Sequence, residues 1–113
     1  MHELSVVMSI VDIAQEETRK AGAAAVEEIE MDIGLLSTIE MNAFEFAWQQ
    51  GIRETVLEHA HKKINRIRGK GRCMDCNNDF ALEHLYDPCP VCGNYLIDIV
   101  EGKELRVRSL VVS

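Results

Sequence analysis

The stretch Cys73-Met74-Asp75-Cys76, followed after twelve residues by Cys89-Pro90-Val91-Cys92-Gly93, decides the fold of this chain. These two Cys-x-x-Cys turns contain all four cysteines of the protein. A tight turn of this kind can point both sulfurs at one centre, and four thiolates suit tetrahedral Zn²⁺. Such a site is closed to water and substrate, so the metal should be structural and should help to fold the segment. We therefore predict a structural Zn(II) site with the ligands Cys73, Cys76, Cys89 and Cys92.

Other uses of the cysteines stay open on residue type alone. Two disulfides would need an oxidising compartment, which nothing in the sequence suggests. A redox function for one Cys-x-x-Cys pair would leave the second pair unexplained. An iron site could use the same four ligands, but zinc is favoured over iron.

Length and composition indicate a small globular protein. The chain has 113 residues, of which 47% are hydrophobic and 27% charged. This length is enough for one compact domain, or for a smaller domain plus a metal-stapled lobe. Residues 1–15 lack the basic start of a signal peptide, and no apolar run approaches the ~20 residues of a membrane span. We expect a cytoplasmic protein without a membrane span.

Charge is distributed unevenly along the chain. The net charge is −7, yet six of the twelve Lys and Arg residues lie between Lys62 and Arg72. This basic stretch has no interleaved aromatic residues on which bases could stack, and the total charge opposes a polyanion. We predict no nucleic-acid partner, and interpret the stretch as a solvated strand or a docking surface for an acidic protein.

The first part of the chain predicts a helix followed by a strand. Apolar residues at helical spacing extend over Glu3 to Lys20, and Gly22 is a suitable C-cap. The period then changes to two over Val26 to Leu36, which predicts a strand. Its buried face should hold Ile29, Met31, Ile33 and Leu35, and its wet, acidic face Glu28, Glu30, Asp32 and Gly34.

The rest of the chain predicts a second helix and two more strands. Ser37 and Glu40 have the spacing of a capping box, which should open a helix to about Gln50 with Trp48 in the core. His59 to Arg68 is a weaker strand in which Ile64 is the best candidate for burial. Glu104 to Ser113 alternates again, and should return to the first strand's sheet with one face formed by Leu105, Val107 and Val111.

These elements predict an α+β fold. It should have a small mixed sheet of about three strands, two helices and an inserted zinc-ribbon-like lobe with short hairpins on either side of the metal. We expect residues 1–69 and 103–113 to form the main domain and residues 70–102 to form the lobe.

The N-terminus is a second candidate metal site. Met1-His2-Glu3 offers a terminal amine, an amide nitrogen and an imidazole in succession, a nitrogen-rich set that Ni²⁺ and Cu²⁺ favour. Histidine is too large for the usual removal of the initiator, so Met1 should remain. Taken alone, a histidine after the initiator is more often an accident than a ligand.

Four separated motifs make the chain resemble the HypA/HybF family of nickel-insertion accessory proteins for [NiFe]-hydrogenase. The resemblance runs nearly from end to end. Its motifs are Met1-His2-Glu3-Leu4-Ser5, Ile33-Gly34-Leu35-Leu36-Ser37, the two cysteine turns, and residues 102–109 with the sequence GKELRVRS.

This resemblance implies a nickel-binding α/β domain and a structural zinc lobe. It implies delivery of Ni(II) to the hydrogenase large-subunit precursor with the GTPase accessory protein HypB as partner, and in some members service to urease and its accessory proteins. His2 would be the essential nickel ligand, supported by the backbone nitrogens of His2 and Glu3. Glu40 matches a position where some members carry an aspartate near the nickel, although a helix-cap function for Glu40 is the simpler interpretation.

We therefore expect a nickel metallochaperone rather than an enzyme, because no catalytic triad, phosphate loop or open catalytic zinc is visible. The alternative is a zinc-ribbon adaptor that binds protein or nucleic acid without a second metal. A metal-dependent hydrolase that uses His2 and carboxylates is a further rival. The pair His59 and His61 lacks a third ligand, and His84 lies beside a zinc site that is already complete, so these three are left out.

Overall fold

The computed structural model describes residues 2–113. It contains two helices, α1 (Glu3–Lys20) and α2 (Met41–Gly51), and six strands. The strands are β1 (Val26–Gly34), β2 (His61–Ile67), β3 (Lys70–Cys73), β4 (Asp79–Ala81), β5 (Ile97–Glu101) and β6 (Leu105–Val112). Neither helix has an apolar stretch of the length that crosses a bilayer, within this described part of the chain.

The strands form two three-stranded sheets, with the orders β2-β1-β6 and β4-β3-β5. In the first sheet β6 is antiparallel to β1, because Gly34 donates to the Glu104 carbonyl at one end and Ser113 to the Ala25 carbonyl at the other. β2 runs parallel to β1. Asn65 Nδ2 donates to Asp32 Oδ1, and further along both segments the Leu35 N–H donates to the Ile67 carbonyl, so residue numbers increase in the same direction on both sides. In the second sheet β3 pairs antiparallel with both neighbours. The predicted hairpin around the first cysteine turn is present as β3 and β4, whereas β5 pairs with β3 rather than forming a second hairpin with β4. The α+β prediction with a small mixed sheet is confirmed.

The chain divides into two compact units. The first contains the segment that ends at Met31, together with Thr38–Ile64 and Val107–Ser113. The second contains Asp32–Ser37 and Asn65–Arg106, and therefore includes all four cysteines. The predicted division into 1–69 with 103–113 and 70–102 stays a prediction.

Helix α1 begins and ends where the apolar periodicity predicts. Gly22, with φ of 65°, follows its C-cap and donates to the Arg19 carbonyl, while Ala23 donates to the Thr18 carbonyl. This is the Schellman arrangement, and the left-handed backbone of Gly22 explains the glycine. The core of the first unit combines apolar residues of α1 and β1 with Phe44, Ala47 and Trp48 of α2, which confirms the prediction for Trp48.

The predicted wet face of β1 is wrong at Gly34, which is buried, and at Asp32. This carboxylate is 0% exposed and accepts hydrogen bonds from Asn65 Nδ2 at 3.0 Å and Arg106 Nε at 2.9 Å. A buried charge persists when it is paired and hydrogen-bonded, and these partners supply both conditions. The strand also ends at Gly34, two residues early, and Leu35 is 52% exposed rather than buried.

The predicted start of the second helix is also wrong. The hydroxyl of Ser37 donates to the carbonyl of Gly34 instead of capping a helix, and α2 begins at Met41. Glu40 is the N-cap itself, so it is not the partner of Ser37. Gly51 lies inside the helix rather than behind it.

The alternation predicted for the last strand changes phase. Arg108 and Ser109 are both exposed, after which Leu110 and Val112 are partly buried and Val111 is 46% exposed. The strand therefore turns a different face inward beyond Arg108, as happens where a ladder is irregular. The prediction for Ile64 holds only in part, because β2 leaves it half-buried.

Candidate metal centres

Each cysteine turn is closed by the same pair of backbone hydrogen bonds. Asn77 donates to the Cys73 carbonyl at 2.9 Å, and Cys73 donates to the Asn78 carbonyl at 2.9 Å. The second turn repeats both bonds, at 2.8 and 2.9 Å, through Cys89, Gly93 and Asn94. The residue after the second cysteine has a left-handed backbone in both turns, with φ of 62° at Asn77 and 76° at Gly93. Asparagine and glycine are the residues that adopt this conformation most readily.

The two turns bring the four sulfurs together. One ligand atom from each of Cys73, Cys76, Cys89 and Cys92 lies within 4.8 Å of the other three. The Sγ atoms of Cys73 and Cys92 are 3.5 Å apart, and those of Cys76 and Cys89 are 3.7 Å apart. A tetrahedron with Zn–S bonds of about 2.3 Å has sulfurs about 3.8 Å apart, so the arrangement fits four-coordinate zinc. The cysteine ligand set is thus assembled as the spacing predicts.

Backbone N–H groups stabilise thiolates at the first cysteine of each turn. The N–H groups of Cys92 and Val91 lower the pKa of Cys89 to about 6. The N–H of Cys76, whose nitrogen is 3.5 Å from Cys73 Sγ, and that of Asp75 lower the pKa of Cys73. Both first cysteines are buried, whereas Cys76 and Cys92 are exposed. The thiolate is the form that binds metal, so the turns prepare their buried sulfurs for ligation.

The second candidate site lies at the start of α1. His2 is the N-cap residue of this helix, with an extended backbone, and its exposed side chain makes no capping hydrogen bond. The imidazole therefore does not cap the helix, and its nitrogens are available to bind a metal. Met1, the predicted contributor of the terminal amine, lies outside the described residues.

Glu3 and Glu40 meet beside this position, which the sequence alone did not indicate. Glu3 Oε2 accepts a hydrogen bond from the backbone N–H of Glu40 at 3.2 Å, and this bond is the main reason that the pKa of Glu3 is lowered. The carboxylate of Glu40 accepts from the N–H groups of Asn42 and Ala43 at 3.0 and 2.7 Å. Each carboxylate keeps oxygen lone pairs free, because a carboxylate has about four acceptor positions.

Among residues 2–113 the cysteines are the single group of three or more His, Cys, Asp or Glu residues whose ligand atoms lie together. His2, Glu3 and Glu40 are therefore not pre-assembled into a three-side-chain site. Two of the remaining histidines face acids: His59 Nε2 lies 3.2 Å from Glu58 and His84 Nδ1 lies 3.4 Å from Asp87.

Comparison with known proteins gives one family. Residues 1–112 match the family model described as hydrogenase/urease nickel incorporation, metallochaperone, hypA. The hydrogenase maturation factor HypA of Parabacteroides distasonis is 46% identical over 99% of this chain and 97% of its own length. The HypA of Geotalea uraniireducens is 42% identical over 99% of both chains. The solution structure of the Ni metallochaperone HypA from Helicobacter pylori superposes with a TM-score of 0.73 at 30% identity, covering 99% of this chain and 97% of that one.

Proposed function

The chain belongs to the HypA family of hydrogenase nickel-incorporation metallochaperones, and from that membership we propose that it carries Ni(II) on a site built around His2. It is accordingly a maturation factor and not an enzyme. The observation that carries the nickel proposal is the free, exposed imidazole of His2 at the first turn of α1, in a chain that matches the family over residues 1–112.

The proposed nickel ligands are the imidazole of His2, the backbone nitrogens of His2 and Glu3, and the amine of Met1. Nitrogen ligands of this kind suit Ni²⁺. The positive end of a helix dipole disfavours a cation, and two helices begin close to this position. The carboxylates of Glu3 and Glu40 offset that repulsion whether or not either oxygen enters the coordination shell. Glu40 is thus proposed as a neighbour of the nickel, and its observed contacts are those of a helix cap.

The proposed resident metal is structural Zn(II), held by the four cysteines. Its support is the sulfur separations of 3.5 and 3.7 Å and the closed, all-thiolate ligand set. We propose that residues 70–102 act as this structural lobe and that residues 1–69 and 103–113 bind nickel. A closed thiolate site retains its metal, whereas a site of one imidazole and backbone nitrogens can release its cargo.

The proposed clients and partners follow the family. We propose that nickel passes to the [NiFe]-hydrogenase large-subunit precursor with the help of the GTPase HypB, and that urease accessory proteins are further partners where urease is made. Cytoplasmic residence is part of the proposal, because a four-thiolate zinc site needs reduced cysteines, which a reducing compartment maintains. Nucleic acid is not a proposed partner, since the net charge is −7.

Nickel titration of zinc-loaded protein with a native Met1 and no N-terminal tag tests the proposal. We expect one reversible nickel per chain in addition to one tightly held zinc. His2→Ala should abolish the stoichiometric nickel site and leave zinc and the circular dichroism spectrum unchanged. His59→Ala is the matched control, because His59 is an exposed histidine that lies outside the site. Unaltered nickel affinity in His2→Ala would refute the N-terminal site, and zinc binding alone in the parent would favour the adaptor alternative.

A further inference from the structure

We propose that the groove between helix α1 and the outer edge of strand β6 binds an extended segment of another protein, one with a net positive charge and apolar side chains at alternate positions. This binding surface goes beyond nickel carriage and does not depend on it.

The groove lies wholly within the first unit. It has a volume of about 440 Å³ and is lined by Ile13, Glu17 and Ala21 of α1, one helical stripe, and by β6 residues Val107, Arg108, Ser109, Leu110 and Val112. Successive side chains of a strand point to opposite faces of the sheet, so a groove on one face would be lined by every second residue. A groove that consecutive residues line must therefore run along the edge of the strand. The groove therefore exposes the backbone of β6.

Strand β6 has an unpaired edge at this groove. It is the last strand in the order β2-β1-β6, so β1 is its one sheet neighbour among the described residues. Ser113 and Ala25 exchange both backbone hydrogen bonds, at 2.9 and 3.2 Å. In an antiparallel ladder the residues that face the partner strand alternate, so the N–H and C=O groups of Val112 and Leu110 point outward. A row of outward donors and acceptors is the template on which an extended peptide adds as a new strand.

The side chains around that edge specify an apolar occupant. Ile13 is 47% exposed, and Leu110 and Val112 are partly buried within the groove. An added strand presents every second side chain to the same face, so alternate apolar residues would cover these three side chains.

Charge selects a cationic segment and disfavours a second copy of this chain. Residues 3–34, which include α1 and β1, carry eight acids and two bases, a net charge of −6. The groove itself is lined by one acid, Glu17, which lies 3.7 Å from Lys20, and by one base, Arg108, which lies 3.9 Å from Glu30. The attraction for a cationic segment therefore comes from the acidic surface around the groove. Two copies of a chain with net charge −7 would repel one another along this edge. A partner segment with basic residues gains the attraction that self-association lacks.

Two blocked seven-residue peptides test the proposal, each with alternating Val and Thr and with either Lys or Glu at both ends. With the Lys-ended peptide, we expect amide hydrogen exchange at Leu110 and Val112 to slow by about tenfold or more, while Ser113, already bonded to Ala25, changes little. The Glu-ended peptide should bind about tenfold more weakly at low salt, and raised salt should reduce that difference.

Matched variants distinguish binding in the groove from nonspecific binding to the protein surface. Ile13→Gln should weaken binding of the Lys-ended peptide severalfold, whereas Met8→Gln, a comparably exposed position on α1 outside the groove, should not. Glu17→Gln should reduce the preference for Lys over Glu ends, and Glu16→Gln should preserve it. His2→Ala should bind the peptide normally, so loss of the nickel site and loss of this surface are separate results.

Three results would overturn the proposal. They are equal peptide binding by Ile13→Gln and the parent, absence of slowed exchange at Leu110 and Val112, and concentration-dependent dimers in sedimentation that protect these two amides without peptide. The last result would identify a second copy as the occupant.

Discussion

The carboxylate of Glu3 accepts a hydrogen bond from the backbone N–H of Glu40, which joins the first turn of α1 to the N-cap of α2. The bond connects two residues 37 positions apart within the first unit. It fixes the backbone beside His2, which the proposed nickel site uses, and brings two negative charges to two helix N-termini.

The first prediction concerns Glu40. Replacement by Ala removes the acceptor of two N–H groups at the start of α2, so the free energy of unfolding should fall by about 1 kcal/mol. Urea unfolding followed by circular dichroism measures the change, and Glu27→Ala, an exposed position on β1, is the control. A variant as stable as the parent would show that the cap contributes nothing, and loss of nickel binding would favour Glu40 as a ligand.

The second prediction concerns Glu3. Replacement by Gln keeps an oxygen that can accept from Glu40 but removes the charge. Nickel affinity should therefore fall by less than it does in His2→Ala, because the backbone nitrogen of residue 3 survives. Calorimetric nickel titration of both variants measures the two nickel affinities and shows which variant binds more weakly. A greater loss in Glu3→Gln would make the carboxylate the dominant ligand.

The third prediction concerns the cysteine site. Cys73→Ser should lose zinc and the order of residues 70–102 while it keeps the helical signal of α1. Met74→Ser, at a 63% exposed position inside the same turn, should retain zinc. Metal analysis measures the zinc content of each variant, and amide NMR spectra show whether residues 70–102 stay ordered. Parent protein with no bound metal and all four cysteines oxidised would contradict the structural-zinc proposal.

The fourth prediction concerns Asp79, whose pKa is lowered mainly by its hydrogen bond with Arg72, the residue opposite it on β3. Because the folded pKa lies below the unfolded one, the stabilisation is present above the unfolded pKa and is lost as pH falls through the folded value. Arg72→Gln should return the pKa toward 3.8. Lys70→Gln, which removes a cation 3.9 Å away, should shift it less. Carboxyl NMR titration measures both, and an unchanged pKa in Arg72→Gln would contradict the pairing.

Local sequence was enough for some features of this protein. The bounds of α1 and the assembly of the four cysteines depend on periodicity and spacing within short segments, and both were predicted. The start of α2 was missed because Ser37 and Glu40 have capping-box spacing, whereas the path of the chain makes Glu40 the cap. No pattern in the sequence signals that Glu3 and Glu40 meet, because the contact depends on how the helices pack.

The burial of Asp32 was missed for a related reason. Alternation along β1 assigns Asp32 to the face opposite the apolar residues, and an acid there normally meets water. Its hydrogen-bond partners come from positions 65 and 106, which no local pattern connects to it. The phase change in β6 beyond Arg108 likewise depends on how the strand pairs rather than on its composition.

The last prediction tests that buried carboxylate. Asp32→Ala removes an acceptor that Arg106 and the amide of Asn65 both use, so the free energy of unfolding should fall by about 2–3 kcal/mol. Because the Arg106 side chain is 63% exposed and can be solvated, the loss should stay below that of a fully buried pair. Glu30→Ala is the matched control on the same strand: its side chain is 26% exposed and lies 3.9 Å from Arg108, so its removal should cost well under half as much. The loss in free energy of unfolding for Asp32→Asn should lie between the losses for these two variants. Asparagine keeps the volume and one acceptor oxygen but removes the charge that faces Arg106. Urea unfolding of the zinc-loaded proteins measures all three, and equal losses for Asp32→Ala and Glu30→Ala would show that burial of this carboxylate does not set the stability.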